Sequence, residues 1–249
     1  MKKILSVLLI GAMVIGCAAC SKKKDDKDDV NKKSEGVMTY EEYVAAPLDS
    51  EVTIEAYVQD TQSWWNDQIT VYLQDPDGGY FAYNMNCSEA DSAKLTQGTK
   101  LKVTGYKSEW SGEVEIIDAT FEIEEGNWVA EPTDVTDKLG TDSIVDYQNR
   151  LVSFKGLTVE PSVDAEGNEA AFLYSWDGSG APGTDSDLYF KASINGQTYT
   201  FVVEYYLRNE STDAYQAVTG LNIGDQIDLE GFLYWYEGAQ PHITSVTVG

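Results

Sequence analysis

The chain has 249 residues and carries 42 acidic side chains against 17 lysines and arginines, a formal net charge of −25 with a single histidine. Eight of those cations precede residue 37, leaving nine against 37 acids beyond it; such a surface repels phosphate backbones and gains nothing from counterion release, which argues against nucleic acid as a partner. With one histidine and, past residue 20, one cysteine, His-paired nucleophiles, histidine-rich zinc sites and disulfide frameworks have almost no material.

Lys2 and Lys3 open a signal-like leader, and Ile4 to Met13 is an apolar stretch too short to span a bilayer comfortably. Val14-Ile15-Gly16-Cys17 then resembles the bacterial lipobox, with a small residue at the cut site and a thiol just after it. The resemblance implies cleavage after residue 16, a diacylglyceryl group on Cys17, and an extracytoplasmic protein held at the cell membrane by two acyl chains. Cys20, after Ala18-Ala19, is the rival acceptor, and an uncleaved apolar helix is the alternative to cleavage. Residues 17–36 include six lysines, five acids and little apolar surface after the leader, a composition that predicts a disordered, nearly charge-balanced tether.

From residue 37 the apolar pattern has period two. Val52, Ile54, Ala56 and Val58 alternate with polar neighbours, as do Ile69, Val71 and Leu73. Asp75-Pro-Asp-Gly-Gly79 predicts the turn of a hairpin leading into Tyr80–Met85. Ser88 is a helix N-cap for a short segment ending near Leu95, and Gly98 stops it. Leu101 and Val103 mark a fourth strand and Val114–Ile123 a fifth, whose parity switches at Ile116-Ile117 as a β-bulge would require.

The second half repeats this order. Leu95–Tyr106 aligns without gaps on Leu221–Phe232, placing Gly105 over Gly231, Gly112 over Gly238 and Ile117 over Ile243. An internal repeat on this scale predicts two domains: 37–124 and 148–249, joined by a connector over 125–147. The order strand-strand-strand-helix-strand-strand, with L-x-x-G-x-x-[LI]-x-[VL]-x-G, resembles the OB-fold. Tyr40-Glu-Glu-Tyr43 ahead of Val52–Val58, then Trp64-Trp65 and Tyr83-Asn-Met85, is similar to OB-like lipoproteins of gut Firmicutes-type bacteria. That resemblance covers most of residues 38–124 and, more faintly, 148–248. It implies an all-β chain with short helices, built as two tandem OB-like five-stranded Greek-key barrels; the rival, an immunoglobulin-like sandwich, needs about seven strands and no helix.

Constellations for catalysis are scarce, and we expect no enzyme, cofactor or metal. His242 stands alone on the last strand and reads as structural or exposed. Asp75 and Asp77 bracket a turn that uses Asp for its backbone. The loop Asp177–Asp187 is oxygen-rich but lacks EF-hand spacing. Aromatics say more. An OB barrel presents ligands to the face of its second and third strands and to the loops after strands one and four. Trp64 and Trp65 fall in the first of those loops, Trp110 in the second, and Tyr234, Trp235 and Tyr236 in the equivalent hairpin of the second unit, while Tyr72 and Asn84 fall on the outer face of the first barrel. Indoles stack on the C–H faces of sugars, so the expected role is a binding module for an oligosaccharide or glycan. Docking of a protein partner, or a spacer role, is the alternative; single-stranded nucleic acid follows, and either Trp64 or Trp65 can instead fold back to plug the barrel.

Overall fold

The computed structural model describes residues 30–249; the leader, Cys17, Cys20 and most of the charged segment lie outside the described residues. Residues 30–36, assigned to the tether by composition, instead lie along the first barrel. Lys33 pairs with the buried carboxylate of Asp75 at 2.6 Å and donates to the Glu55 carbonyl at 2.7 Å, while the Tyr57 hydroxyl donates to the Val30 carbonyl at 2.9 Å. Apolar counting missed this docking because its driving force is a buried charge needing a partner, not a buried surface.

Thr39 starts α1 (Tyr40–Ala45) with a capping box: its hydroxyl accepts the Glu42 N–H at 3.2 Å and its own N–H goes to the Glu42 carboxylate at 2.8 Å. At the other end the Lys107 ammonium donates to the carbonyls of Tyr43, Val44 and Ala46 at 2.8–3.0 Å, neutralising the negative end of the helix. The buried Tyr43 ring closes one end of the barrel against Tyr80, 5.0 Å away.

The first barrel consists of β1 (Glu51–Thr61), β2 (Gln68–Gln74), β3 (Gly79–Asn86), α2 (Glu89–Ser92), β4 (Thr99–Trp110) and β5 (Glu113–Asn127). Its five strands close in the order β1-β2-β3-β5-β4, with a parallel contact between Ala82 and Ile116. The β2–β3 turn is the predicted one: the Asp75 carboxylate accepts the N–H groups of Asp77 and Gly78, each at 2.8 Å, and the Tyr80 hydroxyl at 2.9 Å. Inward residues of period two, among them Ile54, Val71, Leu73, Ala82 and Leu101, fill the core.

After the connector, with β6 (Thr133–Asp134) and two 3-10 turns, come β7 (Leu151–Glu160), the ribbon β8 (Ser162–Val163) with β9 (Glu169–Ala170), and β10 (Phe172–Tyr174). Then follow β11 (Leu188–Ile194), β12 (Gln197–Val203), α3 (Asp213–Thr219), β13 (Gln226–Phe232) and β14 (His242–Val248). Strands β7, β11, β12, β14 and β13 close a second ring, because β11 also pairs with β7 and β12 meets β14 in parallel at Val202 and His242. The chain is thus a tandem of two OB-type barrels.

The repeat holds at the backbone. Gly105 pairs with Val52 and Gly231 with Val152, and both sit at a bulge in the closing hairpin. A Cβ at Gly105 would stand 2.7 Å from the Ile117 carbonyl oxygen, and one at Gly231 2.2 Å from that of His242, so both positions require glycine. The closing strands differ by one step: Tyr106 faces Ile117, whereas Phe232 faces His242. Each bulge adds one residue to its closing strand, and the offset arises at the hairpin turn, where Trp110 pairs with Glu113 but Trp235 pairs with Ala239.

A third cluster joins the barrels. Tyr72 and Phe81, on the outward faces of β2 and β3, pack with Leu207 and Phe232 of the second unit. The Tyr72 ring stacks on Phe232 at 4.4 Å, and its hydroxyl shares a 2.7 Å hydrogen bond with His242 Nδ1. Around it the Leu151 N–H donates to Gln74 Oε1 at 2.8 Å, the Trp235 N–H to Glu113 Oε2 at 2.9 Å, and the Asn149 amide to the Val114 carbonyl at 3.0 Å. Arg208 pairs with Asp60 across the same boundary.

Candidate ligand-binding cleft

Beside this seam the barrels part to leave a cleft of about 700 Å³. From the first barrel, Phe81, Tyr83 and Trp110 line it; from the second, Trp176, Tyr189, Tyr206, Tyr234 and Tyr236. A neighbouring hollow of about 430 Å³ shares Gln62, Tyr83 and Tyr206 with the first and adds Trp65, Thr70 and Asn84. The two form one aromatic trough from Trp65 to Trp110.

Strand parity sets these positions. On β3, Tyr80 and Ala82 point into the barrel, which sends Phe81 and Tyr83 outward; on β11, Leu188 and Phe190 are core, which turns Tyr189 toward the cleft. Trp65, Trp110 and Trp176 remain 73 %, 55 % and 75 % exposed, so their faces are available to a ligand.

The predicted residues divide. Trp110 and Tyr236, from equivalent hairpins of different units, meet with ring centroids 5.2 Å apart at the cleft. Tyr234 lines it while stacked on His242 at 4.1 Å, and Trp65 and Asn84 line the smaller hollow. Trp64 is the plug: its Nε1 donates to the Cys87 carbonyl at 2.8 Å and its ring packs on the first core. Tyr72 lies on the outer face as predicted, yet it is fully buried, because the second barrel covers that face. Trp235 packs on the second core and over Gly112, outside the cleft lining.

The sequence reading missed Tyr83, Trp176, Tyr189, Tyr206, Asp187 and Glu204. Outward parity beside known inward residues was a usable signal for Tyr83 and Tyr189. Trp176 opens an insertion, and Tyr206 sits in an irregular turn, so neither had a pattern to mark it.

Among the described residues lining the trough there is no Lys or Arg. The cleft carboxylates are Asp187, which accepts the Tyr205 N–H at 2.8 Å, and Glu204, which accepts those of Tyr206 and Leu207 at 3.2 and 2.7 Å. Burial, followed by the proximity of Asp187, pushes the Glu204 carboxyl up to about 7, and burial also raises Asp187. In the 177–187 loop the Asp177 carboxylate accepts the N–H and hydroxyl of Ser179 at 3.0 and 2.7 Å, and no group of three or more His, Cys, Asp or Glu side chains able to hold a metal ion occurs among the described residues.

No protein-family model matches this chain, and no curated protein matches it. Solved structures with some likeness include the Ifi202 HINa domain in complex with 20 bp double-stranded DNA, 12 % identical over 80 % of this chain and 98 % of that one, at a TM-score of 0.36. Another is a replication protein A heterotrimer bound to single-stranded DNA, 11 % identical over 88 % of this chain and 51 % of that one, at 0.34.

The seam makes stability depend on pH from both sides. Burial drives the His242 imidazole from 6.5 down to about 3, so its contribution is present above about pH 6.5 and is lost as pH falls toward 3. Glu113, buried beside Trp235, is raised from 4.5 to about 8; its contribution is complete below 4.5 and is lost as pH rises through 8. Replacing both partners, Tyr72→Phe with His242→Leu, removes the imidazole without orphaning the hydroxyl. Unfolding free energies from urea titrations across about pH 6.5 to 4 should then fall less steeply than in the wild type, by up to about 1.4 kcal/mol per pH unit.

Proposed function

We propose that this chain is a non-enzymatic binding module of the cell surface, anchored through a lipidated Cys17, whose ligand is an oligosaccharide held in the aromatic trough. The observation that supports it most is the run of exposed rings contributed by both barrels, with amide and hydroxyl side chains (Gln62, Thr70, Asn84, Thr200, Gln240) interleaved. Sugar rings stack on indole and phenol faces while their hydroxyls pair with such groups. The absence of cations from the trough lining among the described residues, in a chain of net charge −25, opposes a phosphate backbone. Asp187 and Glu204 are engaged by backbone N–H groups of one turn, a positioning that suits recognition.

A glycan array with an oligonucleotide control at two salt concentrations tests the reading. Binding should be micromolar to millimolar and nearly independent of salt, and Trp65→Ala or Trp110→Ala should each weaken it about fivefold, on the order of 1 kcal/mol per stacked ring. Trp64→Ala should lower the melting temperature instead. Tight, salt-dependent oligonucleotide binding, or the appearance of new reducing ends, would overturn the proposal; silence toward every glycan would favour protein docking. For the anchor, Cys17→Ser should release the protein from the membrane fraction and Cys20→Ser should not, and an acylated Cys20 in mass spectra of the mature N-terminus contradicts the assignment.

A further inference from the structure

The main cleft has two properties that a neutral sugar leaves unused. Rings from Trp110, Trp176, Tyr189, Tyr206, Tyr234 and Tyr236 surround it, and an aromatic face attracts a cation held within about 6 Å of its centre. The same lining brings in Asp187 and Glu204, with no Lys or Arg beside them among the described residues. Arg208, four residues after Glu204, turns away to Asp60 of the first barrel. The N–H groups of Tyr205, Tyr206 and Leu207 hold the two carboxylates in position but bring no net charge, so compensation is left to protons or to the contents of the cleft.

Resting on the glycan reading above, we infer that the cleft selects a sugar bearing a protonated amine, with Glu204 and Asp187 pairing with the ammonium and the surrounding tyrosines and tryptophans caging it. The lining carries this class, with aromatic rings and two turn-held carboxylates facing one cleft, and its electrostatics agree. Burial, followed by the fields of Asp187, Glu204 and Tyr236, pushes the Tyr189 hydroxyl up to about 12, and all four residues line this cleft. His242, the other titratable group on the seam side of the cleft, is held neutral by burial and adds no competing positive charge. Glu204 at about 7 marks a carboxyl that its surroundings leave short of a cation, a shortage that an ammonium relieves while displacing a proton. A sulfated or phosphorylated sugar meets the reverse situation and is repelled.

The test needs no variant to begin. The full chain, purified in detergent, is titrated by calorimetry with two probes of equal length: a tetramer of N-acetylglucosamine, and the same tetramer with free amines at a pH where these are protonated. The amine form should bind at least about tenfold more tightly, and the advantage should shrink as salt rises. Glu204→Gln with Asp187→Asn keeps acceptors for the turn N–H groups, which the melting temperature verifies, and should bring the ratio of the two dissociation constants to about one. Trp110→Ala should weaken both probes, and the amine form more than the acetylated one. Equal affinity of the wild type for both probes, or a preference for the acetylated one, overturns the inference and leaves the glycan reading standing. Binding of neither removes the glycan reading itself.

Discussion

The Tyr72 ring, stacked at 4.4 Å on Phe232 with its hydroxyl 2.7 Å from His242 Nδ1, fixes how the two barrels face each other. A phenol and an imidazole buried in an apolar seam each cost free energy unless they find partners, and here each is the other's partner. That requirement is directional, whereas the apolar contacts of Phe81, Leu207 and Leu151 are not. The seam therefore supplies both area, through its aromatic rings, and orientation, through this hydrogen bond together with those to Gln74, Glu113 and Val114 across the same boundary. Displacing it would break the phenol–imidazole hydrogen bond and expose the rings around it.

This docking moves the functional surface. The outer face of the second and third strands is where an OB barrel ordinarily presents its ligand site, and in the first unit part of it is covered by the second. What remains open is the margin, where Tyr83 and Trp110 of one barrel face Tyr189, Tyr206 and Tyr236 of the other. The cleft is therefore a property of the pair, and neither barrel alone has it. Its carboxylates, held by a turn of the second barrel, set its electrostatic character; the second barrel supplies five of its eight aromatic rings and the first barrel three.

The regular parts of the fold were legible because each has a local cause. The Asp75 turn, the Ser88 cap, the bulge after Ile116 and the matched glycines at 105 and 231 all follow from neighbours within a few residues or from a repeat. The seam was not legible, since an outward Tyr72 on a half-buried strand has the same period whether it faces water, a ligand or another barrel. Trp64 and Trp65 show the same limit: adjacent indoles, one bonded to the Cys87 carbonyl and packed inward, the other exposed at the trough. Trp176 and Tyr206 come from irregular segments, where no periodicity carries information. Residues 30–36 were hidden because composition counts charges without showing that the Asp75 carboxylate lies buried and waiting for a cation.

If the seam fixes the two barrels as one unit, their unfolding must be coupled. Differential scanning calorimetry of the full chain measures this directly, since a single cooperative transition has equal calorimetric and van't Hoff enthalpies while independent domains do not. The structure predicts one transition with matching enthalpies, and a Tyr72→Ala variant that splits or broadens it. Two resolved transitions in the wild-type chain, unaltered by Tyr72→Ala, would contradict the account.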